Sequence, residues 1–283
     1  MKYNLIGAGR LGMNIAFALI QHRLLNLQAI CNRSLHSAET ACKSIGAGHA
    51  VNQIRQLPKA DVFWITVNDD VIVDVVQELL SSSILEPGNR IIHCSGVLSS
   101  DILAPLKKYG CEIASVHPLK AFKSGYLDAN CFDQVDCVIE GDVAIRDWLK
   151  ELFYSLGANL IPITAAAKPV YHAAACMASN YLVTLAACSE ELLINAGIPA
   201  AEARVMIGKL MQGNLNNLLT TQNISQALTG PLKRGDSKTI ALHLDAIADP
   251  LINNLYRAAG LATLPLTLLE DEKLALLVKL LKT

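Results

Sequence analysis

Three groups of residues in this 283-residue chain have types and spacings suited to chemistry. The first is Gly7-Ala8-Gly9-Arg10-Leu11-Gly12, set between the apolar run Lys2-Tyr3-Asn4-Leu5-Ile6 and a helical apolar pattern from Met13 to Ile20. A GxGxxG flanked by a strand and a helix has the context that dinucleotide binding requires. Gly7 makes the tight turn, Gly9 admits a pyrophosphate to the backbone, and Gly12 lets helix pack on strand. Free N–H groups at the helix N-terminus then hold the phosphates, with Ala8, Arg10 and Leu11 completing the loop. The plain alternative is a glycine-rich turn that binds nothing.

The second group is Lys168, His172, Cys176 and Asn180, recurring every four residues in an Ala-rich stretch with Tyr171 beside them. That spacing keeps them near one face of a helix. Lysine and histidine are acid/base groups: a lysine in an apolar pocket loses proton affinity, and a histidine titrates near neutrality without help. The third group is Thr229-Gly230-Pro231-Leu232-Lys233-Arg234-Gly235-Asp236, read as a loop feeding a helix. There Asp236 or Ser237 suits the cap, and Arg234 suits a clamp for a carboxylate or phosphate.

These groups need a scaffold, and the chain supplies an alternating one. Short apolar runs at residues 2–6, 27–31, 61–66, 90–93, 111–116, 136–140 and 159–163 alternate with helical patterns, among them 70–80 and 144–156. Strands separated by helices imply an α/β, Rossmann-type doubly wound and mostly parallel sheet. After residue 163 the pattern is helical only: 165–196, 200–219, 236–247, 250–259 and 266–281. Two domains are therefore expected, a dinucleotide-binding domain over 1–163 and an all-α substrate and dimerisation domain over 164–283.

In such a sheet ligands bind at the carboxyl ends of the strands. The exits there are Thr66-Val67-Asn68-Asp69-Asp70, His93-Cys94-Ser95-Gly96 and Ser115-Val116-His117-Pro118-Leu119-Lys120. Val67 and Asn68 fall beside the glycine loop as cofactor contacts. Asp70 is read as an N-cap. Ser95 offers a hydroxyl to substrate, and Pro118 fixes the backbone where His117 faces the cleft. The second strand ends in Asn32-Arg33-Ser34 with no Asp or Glu. An acidic residue there would accept the ribose hydroxyl of NAD, whereas Arg33, helped by Asn32 and Ser34, suits the 2′-phosphate of NADP.

Composition narrows the class. The chain is 52% hydrophobic and 17% charged with net charge −1, and it has no long basic run. This excludes nucleic-acid and membrane-surface binding as primary roles. Eight cysteines show no CxxC pair and no metal spacing, a pattern of free thiols in a reducing cytoplasm. Lys2 before apolar residues has the look of a signal peptide, but Arg10 and the glycines interrupt the run. No stretch of about eighteen apolar residues is uninterrupted, so no membrane span is expected.

The glycine loop, His93-Cys94-Ser95-Gly96, His117-Pro118-Leu119-Lys120-Ala121-Phe122, Lys168-x-x-Tyr171-His172 with Asn180, and Gly230-Pro231-x-x-Arg234-Gly235-Asp236 together resemble one family. It is the group of Rossmann-like proteins whose C-terminal half is the domain of unknown function 2520. The resemblance implies a two-domain, dimeric, NADP-binding oxidoreductase-like protein and no particular substrate. More distantly the chain is similar to 6-phosphogluconate and 3-hydroxyacid dehydrogenases, pyrroline-5-carboxylate reductase and prephenate dehydrogenase. In the hydroxyacid group a lysine on the first helix of the helical domain is the acid/base, with an Asn one turn later. Lys168 matches that placement, but His172 stands one turn on and Asn180 about three turns on.

The expectation is thus an NADP(H)-dependent oxidoreductase of a small carbonyl, imine or hydroxyacid, with its site between the domains. Lys168 or His172 is the expected acid/base, Asn180, Ser95 and His117 are polar contacts, and Arg234 holds a carboxylate. The competing expectation is an NADP(H)-binding sensor without chemistry. The apolar stretches 173–193 and 251–281 predict a homodimer joined through the helical half.

Overall fold

The structure is a computed structural model that describes residues 1–123 and 125–282. It resolves into two compact units, Met1–Cys176 and Met177–Thr283.

The first unit is built on one eight-stranded sheet. Strands β1 (Lys2–Ile6), β2 (Asn26–Cys31), β3 (His49–Val51), β4 (Val62–Ile65), β5 (Arg90–His93), β6 (Glu112–Pro118), β7 (Asp136–Gly141) and β8 (Asn159–Pro162) lie in the order β3-β2-β1-β4-β5-β6-β7-β8. The reversal of direction beside β1 is the doubly wound arrangement, with its ligand crevice at the strand carboxyl ends. Helices α1 (Arg10–Gln21), α2 (Leu35–Ile45), α3 (Ile72–Ser81) and α4 (Val143–Tyr154) and a 3₁₀ stretch at Ser100–Tyr109 connect the strands.

All four residues of β4 are buried, and their alternation shows why. Val62 and Trp64 enter one core with Tyr3, Leu5, Ile92 and Phe153. Phe63 and Ile65 enter the other with Ile6, Ile72, Ile91 and Leu103. A strand buried on both faces reads as a continuous apolar run, as this one does.

Two features of the sheet were not specified by the sequence. Strand β3, at the edge, was not anticipated; its three residues His49-Ala50-Val51 are too few and too mixed in polarity to show a period. Strand β7 runs antiparallel to β6, pairing Ser115 with Glu140 and His117 with Val138. Asp70 caps no helix: it lies inside the 3₁₀ turn Asp69–Val71, and α3 begins after Val71.

Helix α5 (Lys168–Asn195) follows a 3₁₀ turn at Ala165–Ala167, and its first turns belong to the first unit. The second unit holds the rest of it with α6 (Ala200–Thr220), α7 (Ile224–Ala227), α8 (Gly230–Arg234), α9 (Ser237–Ala246), α10 (Pro250–Thr263) and α11 (Asp271–Lys282). Its core is small: Ile240, Leu244, Leu264, Leu277 and Leu281.

The stretch read as a loop at 229–236 contains the short helix α8, with Pro231 in its first turn and Gly235 closing it at φ 72°. Asp236 caps α9 as expected, accepting from the Thr239 N–H at 3.1 Å. The single helix expected over 266–281 is broken. Leu268 takes φ 56°, and α11 starts only at Asp271, where two acidic residues suit a helix N-terminus.

Candidate active site

The glycine loop leaves β1 under tight constraint. Gly7 has φ 92°, and a Cβ on it would sit 2.6 Å from Val67 Cγ1 and 2.8 Å from the Val67 nitrogen. Gly12 lies directly against the Thr66 side chain and the Gly7 carbonyl, so α1 packs on the sheet with no room for a methyl group. The Thr66 hydroxyl donates to that same carbonyl. Gly9 is the opposite case, since a Cβ there would meet nothing within 4 Å. It also caps α1 with no side chain, so the first-turn N–H groups face outward without a capping acceptor. The loop is closed against the sheet and open where a phosphate would approach.

The end of β2 holds this loop. The Ala8 N–H donates to Asn32 Oδ1 at 2.7 Å, so Asn32 serves the loop with the oxygen that faces it. Ser34 Oγ accepts from the Ser37 N–H at 3.2 Å and caps α2. Arg33 between them is exposed and has no hydrogen bond or ion pair among the described residues. Arg10 and Asn68 are exposed, while Leu11 and Val67 are half-buried beside the loop.

A second cluster forms where β5 and β6 end. His117 Nδ1 lies 2.7 Å from the Tyr171 hydroxyl. The rings of Tyr171 and His172 each meet the His117 ring edge-on, with centroids 5.8 Å away. His172 Nδ1 is buried with no hydrogen-bond partner. Both imidazoles close over Gly96: a Cβ there would be 2.6 Å from His172 Nδ1 and 3.0 Å from His117 Nε2. His172 Nε2 is 3.8 Å from Cys176 Sγ.

Burial, followed by the neighbouring His172 and Lys168, lowers the His117 pKa to about 4, while Asp69 pulls it up. The ring is therefore neutral at pH 7. Burial raises the Tyr171 phenol to about 12, which keeps it protonated and a donor. With Tyr171 donating to Nδ1, the His117 proton sits on Nε2, toward Gly96.

Lys168 sits below this pair with 1% of its surface exposed. Its Nζ donates to the Ser95 carbonyl at 2.7 Å and to the Ser115 hydroxyl, and Glu140 Oε1 lies 3.8 Å away. Burial lowers its pKa to about 8, against the upward pull of Glu140. Glu140 is itself held by the Ser100 N–H and the Ser100 hydroxyl, each at 2.7 Å. His93 is fully buried; its Nδ1 accepts from the Ser95 N–H at 3.2 Å, and burial with Lys168 lowers its pKa to about 3.

The structure thus brings Ser95, His117, Lys168 and His172 together. Ser95 plays another part than the one expected: it is buried, and its Oγ accepts from the N–H groups of Val97 and Leu98 at 3.2 and 2.9 Å. Asn180 and Arg234 belong to the second unit, and both are exposed. Tyr171, Gly96 and Ser115 stand in stretches the sequence singles out, but without the roles they have here, and Glu140 is a site residue that sequence reading passed over. A carboxylate ending the apolar strand Cys137-Val138-Ile139 was the available signal for Glu140.

The sheet order and glycine loop define a Rossmann-like protein, and residues 1–118 match the Rossmann-like domain. Residues 135–263 match the domain of unknown function 2520, so the chain joins a match to each. The second match begins at β7, so it takes in the last strands of the sheet as well as the helices.

No curated protein matches the chain in sequence. Among solved structures, a Bacteroides fragilis protein provisionally assigned as an NADP oxidoreductase is 19% identical with a TM-score of 0.77, over 93% of this chain and 98% of that one. A Thermotoga maritima protein is 27% identical with a TM-score of 0.71, over 94% and 98%. The imine reductase of Myxococcus stipitatus, solved with NADP+, is 17% identical with a TM-score of 0.63, over 94% and 92%.

Proposed function

We propose that this protein is an NADP(H)-dependent oxidoreductase acting on a small carbonyl, imine or hydroxyacid. The observation that carries the reading is one of placement. The open glycine loop after β1 and the imidazole pair at the ends of β5 and β6 lie on the same carboxyl edge of one sheet. The residues present fit the cofactor: uncapped N–H groups at α1 for the pyrophosphate, and the unengaged guanidinium of Arg33 for a 2′-phosphate. The likeness in fold to an NADP-bound imine reductase supports the same choice.

When bound, the nicotinamide supplies or takes the hydride. The chain then has one proton to move. His172 is the group placed to move it, because its buried Nδ1 is unpartnered beside Gly96. Neutral His117, oriented by Tyr171, presents an N–H beside it to a substrate oxygen or nitrogen. Lys168, with its ammonium enclosed by acceptors, is not the proton donor in this reading.

Cofactor binding falls to residues 1–163, and substrate positioning and dimerisation to residues 164–283. Exposed apolar side chains on α5 and α6, among them Val183, Met206 and Leu210, support a homodimer through the helical half. Eight free cysteines, five of them buried, support a cytoplasmic protein.

The test follows NADPH oxidation across a panel of small carbonyls, imines and keto acids. On the best substrate, His172→Ala loses roughly 10²–10⁴-fold in turnover while NADPH affinity holds. Full turnover in both His172→Ala and His117→Ala refutes the assignment. NADPH binding with no turnover across the panel identifies a sensor instead.

A further inference from the structure

A lysine at the start of α5, below two histidines, has the look of an acid/base group. Its surroundings give it another task. An ammonium has three N–H donors, and Lys168 Nζ has three acceptors around it in the Ser95 carbonyl, the Ser115 hydroxyl and the Glu140 carboxylate. These come from the turn after β5, from β6 and from β7. Glu140 cannot swing away, because both its oxygens are held by Ser100.

We infer that Lys168 is a positioning residue, whose ammonium fastens the first turn of α5 to the turn after β5 and to strands β6 and β7, and so sets where Tyr171 and His172 meet His117. The inference rests on the proposed proton handling by the histidines and deepens it. Tyr171 and His172 follow Lys168 by three and four residues, about one helical turn, so they move with its anchor. The tolerance is small: His172 Nδ1 already lies 2.6 Å from where a Gly96 Cβ would be, and the Tyr171 hydroxyl reaches His117 at 2.7 Å.

The ammonium also acts through space. The charged and titratable groups facing His117 are Lys168, Tyr171 and His172 from α5, and Asp69 from the turn after β4. Lys168 and His172 disfavour the imidazolium, and Asp69 favours it.

The test needs neither substrate nor cofactor. Imidazole resonances of the full-length protein are titrated by NMR in the wild type, in Lys168→Met/Glu140→Gln and in Lys168→Arg. The double variant removes the buried pair together, leaving no stranded carboxylate. In the wild type, His117 stays neutral to about pH 4 and shows ring contacts to Tyr171. In the double variant its proton affinity rises by roughly tenfold, about one pH unit in midpoint, and the Tyr171 contacts weaken.

Lys168→Arg keeps the charge but not the reach. It retains the low His117 midpoint while the Tyr171 contacts shift, and this variant decides the matter should the double variant fail to fold. A folded variant with an unchanged His117 midpoint and unchanged Tyr171 contacts overturns the inference. So does loss of turnover in Lys168→Met with the His117 titration unaltered, the signature of a lysine that donates the proton itself. Because the titration reads the free protein, an absence of turnover in the wild type defeats the oxidoreductase reading and leaves this one decidable.

Discussion

The two units use apolar residues in opposite ways. In the sheet unit, successive residues of one strand feed two separate cores, so Val62, Phe63, Trp64 and Ile65 are all covered from within. In the helical unit the buried cluster draws on α9, α11 and the 3₁₀ turn at Leu264–Leu266, while α6 contributes only Ala203 and Ile207 to the interior. Val183, Leu210 and Leu219 stand 69%, 70% and 85% exposed. The sheet unit therefore covers this strand from within, whereas the helical unit leaves apolar side chains exposed, the observation on which the proposed dimer rests.

Core truncation is the strongest probe of that contrast. Phe153 packs between Trp64 and Phe132, and Phe153→Ala is expected to cost about 3–5 kcal/mol in urea unfolding. A loss below about 1 kcal/mol would show the sheet core to be looser than its burial implies.

Acid is the next probe. His93 and His117 have pKa values of about 3 and 4, against an ordinary 6.5. The unfolded chain thus binds protons below pH 6.5 that the native chain refuses. Stability is full above pH 6.5 and is lost progressively as pH falls toward 4 and then 3. Unfolding midpoints measured across that range should fall, and His93→Gln should flatten the slope; an identical slope in the variant removes His93 as its source.

Arg33→Asp tests the nucleotide edge of the same unit. Charge-assisted contacts contribute about 1.5–3 kcal/mol, so the NADPH/NADH affinity ratio measured by calorimetry should drop about tenfold or more. An unchanged ratio means that the guanidinium points elsewhere.

The smallest effect is expected on the bare face. Leu210→Ala should change monomer stability by less than about 0.5 kcal/mol, yet weaken association. Light scattering at micromolar concentration checks this against the 30.4 kDa chain mass. A wild-type mass of one chain breaks the comparison, since that face is then simply solvated.

The sequence made the glycine loop, the strand exits and the helical second half legible, because each is a local pattern. Gly7 and Gly12 do what their spacing predicts. The direction of β7 was not legible, since a buried apolar run reads the same both ways. That reversal is what puts Glu140 opposite Ser115, and Lys168 owes its surroundings to it. The acceptors of Lys168 come from positions 73 and 53 residues away, and no helix-face argument reaches them. Along the four-residue series, Lys168 is buried, His172 and Cys176 are half-buried and Asn180 is exposed. Equal spacing therefore did not mean equal surroundings.

Gly96 gives the site a constraint that related chains should record. A methyl group at this position would lie 2.6 Å from His172 Nδ1, so the imidazole must move from where it stands to admit it. Positions 96 and 172 are therefore coupled: alanine at the first displaces the histidine at the second. Nothing in that displacement touches Gly7, Gly9 or Gly12. Under the proposed function, such a chain keeps its glycine loop and loses the placement of the imidazole assigned to proton transfer, one small substitution separating the two.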